Sequence, residues 1–122
     1  MKAISVFFLF AAMMLVFGKM NYAQEADKVA PDKVKVLLEN DKVKVLDFKL
    51  KPGEETGMHS HPNYIVYFLT DGKMMTAMAD GKSTESEVKA GDISWSEGLT
   101  HNNKNTGKTE AHAIVIELKD QK

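Results

Sequence analysis

From Lys33 to Leu118, apolar and polar residues alternate in short runs. Turn residues interrupt them about every eight to twelve positions, the spacing of strands in a sandwich or barrel. Val34-Lys35-Val36 alternates, then runs through Leu37-Leu38 into Glu39-Asn40-Asp41. Lys42 to Val45 alternates again, and Leu46, Phe48 and Leu50 continue with the parity shifted by one, which predicts a bulge near Leu46. Tyr64 to Leu69 is a continuous apolar run and reads as a buried strand. Asp71-Gly72 predicts a hairpin into Lys73–Ala79, and Asp80-Gly81 a second hairpin into Lys82–Val88. Ala90-Gly91-Asp92 is a third turn, Ile93 and Trp95 alternate with serines, and Ala113 to Leu118 closes the set. Gly98 and the cluster Asn102–Gly107 read as loops. No stretch carries helical periodicity, so the expected fold class is all-β.

The first 23 residues follow another pattern. Lys2 precedes Ala3–Phe17, in which Ser5 is the one polar residue, and the polar Lys19–Tyr22 leads to the small Ala23. This is the layout of a secretory signal peptide cut between Ala23 and Gln24, and it predicts a periplasmic or secreted protein. The expected organisation is 1–23 signal peptide, 24–32 flexible lead-in and 33–119 a single β-barrel domain.

Composition narrows the chemistry. The formal charge is −1, and removing Lys2 and Lys19 from it leaves −3. All 16 basic residues are lysines, interspersed with acids. With no arginine and no basic patch, nucleic acid is not an expected partner, nor is a membrane once the signal peptide is gone. Without cysteine there is no disulfide, thiolate ligand or cysteine nucleophile. No serine sits in a glycine-flanked elbow and no glycine loop is built for phosphate.

What remains is histidine. His59 and His61 stand at i and i+2, which places both imidazoles on one face of a strand. His101, after Gly98-Leu99-Thr100, can bring a third ring from a distant strand. Three protein ligands with open positions is the pattern of a catalytic rather than a closed structural metal site. The metal is expected to be a divalent ion: iron, zinc, nickel, manganese or copper all suit imidazole. Met58 beside the pair reads as flexible apolar filler, and His112, sharing parity with Ile114, Ile116 and Leu118, as a histidine without a ligand role. Asn63 is a candidate partner for the histidines, and Asn105 a candidate for holding the His101 loop.

These residues resemble the cupins. Gly53, five residues, then His59-Ser60-His61 and an apolar strand ending at Gly72 resemble the first cupin motif. Gly91 to His101, with Asn105 four further on, resembles the second. Phrases such as PGEETGMHSHP, LTDGK and KAGD look like the group named β-alanine degradation proteins or plain cupin domain proteins. The resemblance implies a jelly-roll β-barrel with a metal inside, held by His59, His61 and His101. Two positions depart from it. Ile65 and Val66 stand where the first motif carries a glutamate, and Ser96 stands where the second carries a proline. The expected function is metal-dependent, dioxygenase-like chemistry on a small anionic organic molecule, with no catalytic residue beyond the ligands assigned. The alternative is a non-catalytic module that holds a small ligand or metal. A small domain without disulfides gains from pairing, so a homodimer is a further expectation, with the apolar edge strand Val34–Leu38 as its contact.

Overall fold

The computed structural model describes residues 24–120. The signal-peptide expectation for 1–23 lies outside the described residues. Nine strands follow one short helix: α1 (Ala26–Val29), β1 (Val34–Glu39), β2 (Val43–Leu50), β3 (His59–His61), β4 (Tyr64–Phe68), β5 (Gly72–Met78), β6 (Ser83–Val88), β7 (Ile93–Ser96), β8 (Leu99–Asn105) and β9 (Ala111–Leu118). They form a five-stranded sheet, β1-β2-β9-β4-β7, and a four-stranded sheet, β3-β8-β5-β6. These nine strands all pair antiparallel. The all-β expectation is met, and the two sheets close over a shared interior as a jelly roll does.

Local signals placed most elements and misplaced three connections. Asp80-Gly81 does make a hairpin, with β5 and β6 paired from Gly72↔Val88 to Ala77↔Ser83. Asp71-Gly72 does not. β4 lies between β9 and β7 while β5 lies between β8 and β6, so this turn carries the chain from one sheet to the other. Of the Asn102–Gly107 run expected as a loop, Asn102 to Asn105 belong to strand β8, whose polar side chains find partners: Asn102 Oδ1 accepts from Gly57 N at 2.9 Å and Asn103 Oδ1 from Thr76 at 3.1 Å. The bulge falls in β1, between Val36 and Leu38, and β2 alternates without a break.

Along β2 the buried positions are Lys44, Leu46, Phe48 and Leu50. Leu46 and Phe48 join Val34, Tyr64 and Val115 in the core. Residues 24–32, expected as a flexible lead-in, contribute to that core. Ala26 and Ala30 are buried in it, and Asp27 of α1 accepts a 2.7 Å bond from the buried Lys44 ammonium. Small side chains let the helix lie close on the barrel, and the ion pair satisfies a lysine that could not otherwise be buried.

Candidate metal centre

The site is built by strand register. β3 pairs with β8 so that His59 lies opposite His101 and His61 opposite Leu99. The i, i+2 pair and its cross-strand neighbour therefore share one inward face. All three imidazoles are buried, and one ring nitrogen from each lies within 4.8 Å of the others. Ring centroids are 4.7 Å apart for His59–His61, 4.8 Å for His59–His101 and 5.2 Å for His61–His101.

Neighbours hold the outer edges of the rings. His59 Nδ1 donates to the Gly57 carbonyl at 2.8 Å, which leaves Nε2 as the lone-pair nitrogen. That turn needs its glycine: Gly57 has a φ of +86°, and a Cβ there would come 3.1 Å from Val29. His61 Nδ1 is 2.5 Å from Glu117 Oε2, so its Nε2 is likewise free to face inward. Asn103 Nδ2 lies 3.3 Å from His101 Nε2. His59 Nε2 and His101 Nδ1 are buried with no hydrogen-bond partner.

An unpartnered buried polar atom costs about 1–3 kcal/mol. Two of them, facing a third imidazole, make a donor set lacking its acceptor of lone pairs. Burial, reinforced by the neighbouring imidazoles, pushes His101 down to about 3. Burial is also the main reason His59 is pushed down to about 4, the nearby His61 adding to it. Both rings are thus neutral at pH 7, the form in which imidazole binds a metal. The residues fit a divalent cation.

Glu117 is the residue that sequence reasoning missed. It is buried on β9, opposite Tyr64 of β4. A carboxylate on the far nitrogen of a ligating histidine orients the ring and raises its basicity. The glutamate missing at Ile65 and Val66 is thus answered by a carboxylate from the adjacent strand, one step back from the ligand atoms. Val66 faces the interior. The signal for Glu117 was its position in an apolar strand, Ile116-Glu117-Leu118, where a solvated charge has no reason to sit.

A cavity of about 250 Å³ opens from His61 and His101 into the barrel. Phe48, Leu50, Val66, Phe68, Met74, Val88, Leu99 and Val115 give it an apolar wall, with Thr76, Ser86, Ser94 and Asn103 as polar points. No lysine, aspartate or glutamate lines it. Tyr64 does, with its ring 4.4 Å from that of His61 and its hydroxyl bonded to Ser96. Burial, the largest influence, holds this phenol above its usual pKa and so protonated.

The remaining candidates lie elsewhere. Asn63 Oδ1 accepts from Gly98 N at 2.9 Å, tying the two histidine segments together without touching a ring. Asn105 is fully buried and donates to the carbonyls of Leu50 and Thr109, both at 2.8 Å, anchoring the end of β8. Met58 is exposed. His112 pairs with Asp47 and lines the same cavity, but is not one of the three clustered histidines.

A cupin domain model matches residues 46–117. This chain belongs to the cupin family. Among curated proteins it is 31% identical over 85 residues to the β-alanine degradation protein BauB of Pseudomonas aeruginosa, covering 69% of this chain and 90% of that one. Among solved structures it resembles a cupin domain protein from Bordetella pertussis, with a TM-score of 0.66 and 34% identity over 71% of this chain and 92% of the other. An RmlC-like cupin with a double-stranded β-helix from Methanocaldococcus jannaschii shares the fold, with a TM-score of 0.58 and 17% identity over 70% and 78% of the two chains. The matched span runs from Leu46 in β2 to Glu117 in β9 and so includes every residue of the site.

Proposed function

We propose that this cupin binds one divalent metal through His59, His61 and His101 and acts on a small organic anion in the adjoining cavity, with oxygenation as the favoured chemistry. The observation that carries the reading is the pair of buried, unpartnered nitrogens, His59 Nε2 and His101 Nδ1, beside His61. A divalent ion held there would supply Lewis-acid polarisation of a bound oxygen and, if redox-active, access to dioxygen. The chain's own residues do the rest. Gly57 and Glu117 hold the His59 and His61 rings in orientation. The apolar wall excludes water, and Tyr64 offers a protonated hydroxyl next to His61. A dication, three neutral imidazoles and the Glu117 carboxylate leave one positive charge uncompensated in a buried place. That balance favours a singly charged anion. The name of the Pseudomonas aeruginosa relative, a β-alanine degradation protein, is compatible with a small carboxylate.

The test is elemental analysis of untagged protein beside the His59→Ala variant, followed by dioxygen uptake with small thiols and acids. The expected result is one metal per chain, absent from His59→Ala. A protein that holds no stoichiometric metal sinks the proposal. A second reading, a binding module without turnover, draws on the cavity wall, which carries no carboxylate or lysine to act as acid or base. Copurification of a tightly held organic molecule, with no turnover, would favour it. We further propose export to the periplasm or medium, from Lys2, the apolar Ala3–Phe17 and Ala23. N-terminal sequencing of the protein recovered from that fraction should start at or near Gln24.

A further inference from the structure

The wall of the cavity is sorted by charge. On β5 and β6 every second residue faces in: Met74, Thr76, Ser86 and Val88 line the cavity. The charges of these strands, Lys73, Glu85 and Glu87, stand on the alternate positions and are exposed. His112 lines the cavity too, but it is already engaged by Asp47 and is not a free cation. The histidines occupy one end. Along β4, Tyr64 stands beside His61 and is followed inward by Val66 and Phe68, a run of about 13 Å. Opposite them, Met78 pairs with His101, Thr76 with Asn103 and Met74 with Asn105. The 250 Å³ of the cavity holds about eight non-hydrogen atoms, at the roughly 30 Å³ share of a liquid water for each. The sheets meet at two seams. The seam between β1 and β3 is covered by α1, which packs on both strands. The other seam lies between β6 and β7, the opposite edges of the two sheets. Ser86 of β6 and Ser94 of β7 are both exposed and both line the cavity, so the cavity meets water there.

We infer that the substrate is a monocarboxylate with an uncharged, apolar body, its carboxylate at the histidine end and its chain along Val66, Phe68 and Met74. This rests on the reading of the three histidines as a metal centre that takes an anion. A second charge on the substrate finds no partner. An ammonium inside the cavity would meet no carboxylate, and a second carboxylate would meet no lysine. Thr76 is neutral, and its hydroxyl already donates to Asn103 Oδ1. Moving an ion from water to such a wall is costly, whereas each methylene buried there gains affinity. The cavity therefore selects against zwitterions and dicarboxylates alike. β-Alanine itself is a poor fit, because its ammonium would lie within the apolar stretch.

The test is titration calorimetry on protein loaded with zinc, its metal content checked by elemental analysis. Zinc is redox-inert, so binding is read without turnover. Affinity should rise about fourfold for each methylene from propionate to hexanoate. Butyrate and β-alanine are the same size and differ by a methyl against an ammonium. β-Alanine should bind on the order of 100-fold more weakly than butyrate, and succinate likewise. Ser94→Asp, at an exposed position of the wall, brings a carboxylate to the cavity. It should narrow the gap between butyrate and β-alanine by about tenfold, with circular dichroism unchanged. Protein that takes up no zinc fails the metal reading itself. Zinc-loaded protein that holds β-alanine or succinate as tightly as butyrate, shows no gain with chain length, or binds none of these acids overturns this inference alone. So does a Ser94→Asp protein with an unchanged preference.

Discussion

The four-stranded sheet carries all three histidines on its inner face and polar residues on its outer one. The five-stranded sheet supplies Glu117, Tyr64 and most of the core from its inner face, and is apolar outside as well. One sheet presents nitrogen donors and the other presents what orients them and encloses the cavity. The contrast teaches that the site is an interface between layers: neither sheet alone holds both His61 and the Glu117 carboxylate that aims it.

Acid should strain the histidine-bearing layer most. His59 and His101 have folded pKa values of about 4 and about 3, below an unfolded value of 6.5. The unfolded chain then binds more protons, so stability rises with pH in this range. The contribution is fully present above about pH 6.5 and is lost as the pH falls toward 3. Each group is worth on the order of 3 kcal/mol. Metal-free protein melted between pH 7 and pH 3 should show a steep fall in stability. A flat profile would mean that the rings are not buried as neutral groups.

The inner face of the opposite layer comes next. Leu46 is fully buried on β2. Leu46→Ala should cost about 2–5 kcal/mol in denaturant unfolding. A loss below 1 kcal/mol, within the usual range for surface positions, would contradict its place in the core.

Glu117→Gln tests the link between the layers. The amide keeps an acceptor for His61 Nδ1–H but removes the charge. Metal affinity, measured by chelator competition, should drop by about 10- to 100-fold. Glu117→Ala, which also frees the ring, should lose more. Equal affinity in all three proteins would separate Glu117 from the metal altogether. The smallest effect is expected on the polar outer face, where Glu87 is exposed opposite Lys73. Glu87→Ala should change stability by less than about 0.5 kcal/mol.

Much of this was legible in the chain. The His59/His61 spacing placed two rings on one face, and the Asp80-Gly81 turn marked a true hairpin, because both depend on residues next to one another. Asp71-Gly72 has the same local signature and crosses between sheets instead, since a turn does not specify which strand its flanks will pair with. The Asn102–Asn105 run looked like a loop because asparagine is rare in strands. It is held there by partners more than 25 positions away, Gly57 and Thr76 among them.

The sequence by itself determined the family, the all-β class and the three histidines, because those are written in spacing and in short-range chemistry. It also determined that β2 and β9 alternate. Only the tertiary structure decided which side of each alternation is inside. The parity shift at Leu46 read as a bulge, yet Val43 and Val45 simply face an apolar exterior while Leu46, Phe48 and Leu50 face the core. On β9, Ile114, Ile116 and Leu118 share one parity and Glu117 the other, and it is the side of Glu117 that is buried. A strand has a period of two whichever way it is turned. When both faces of a sheet are apolar, the period cannot show which one meets the core, and that choice is made by the layer packed against it.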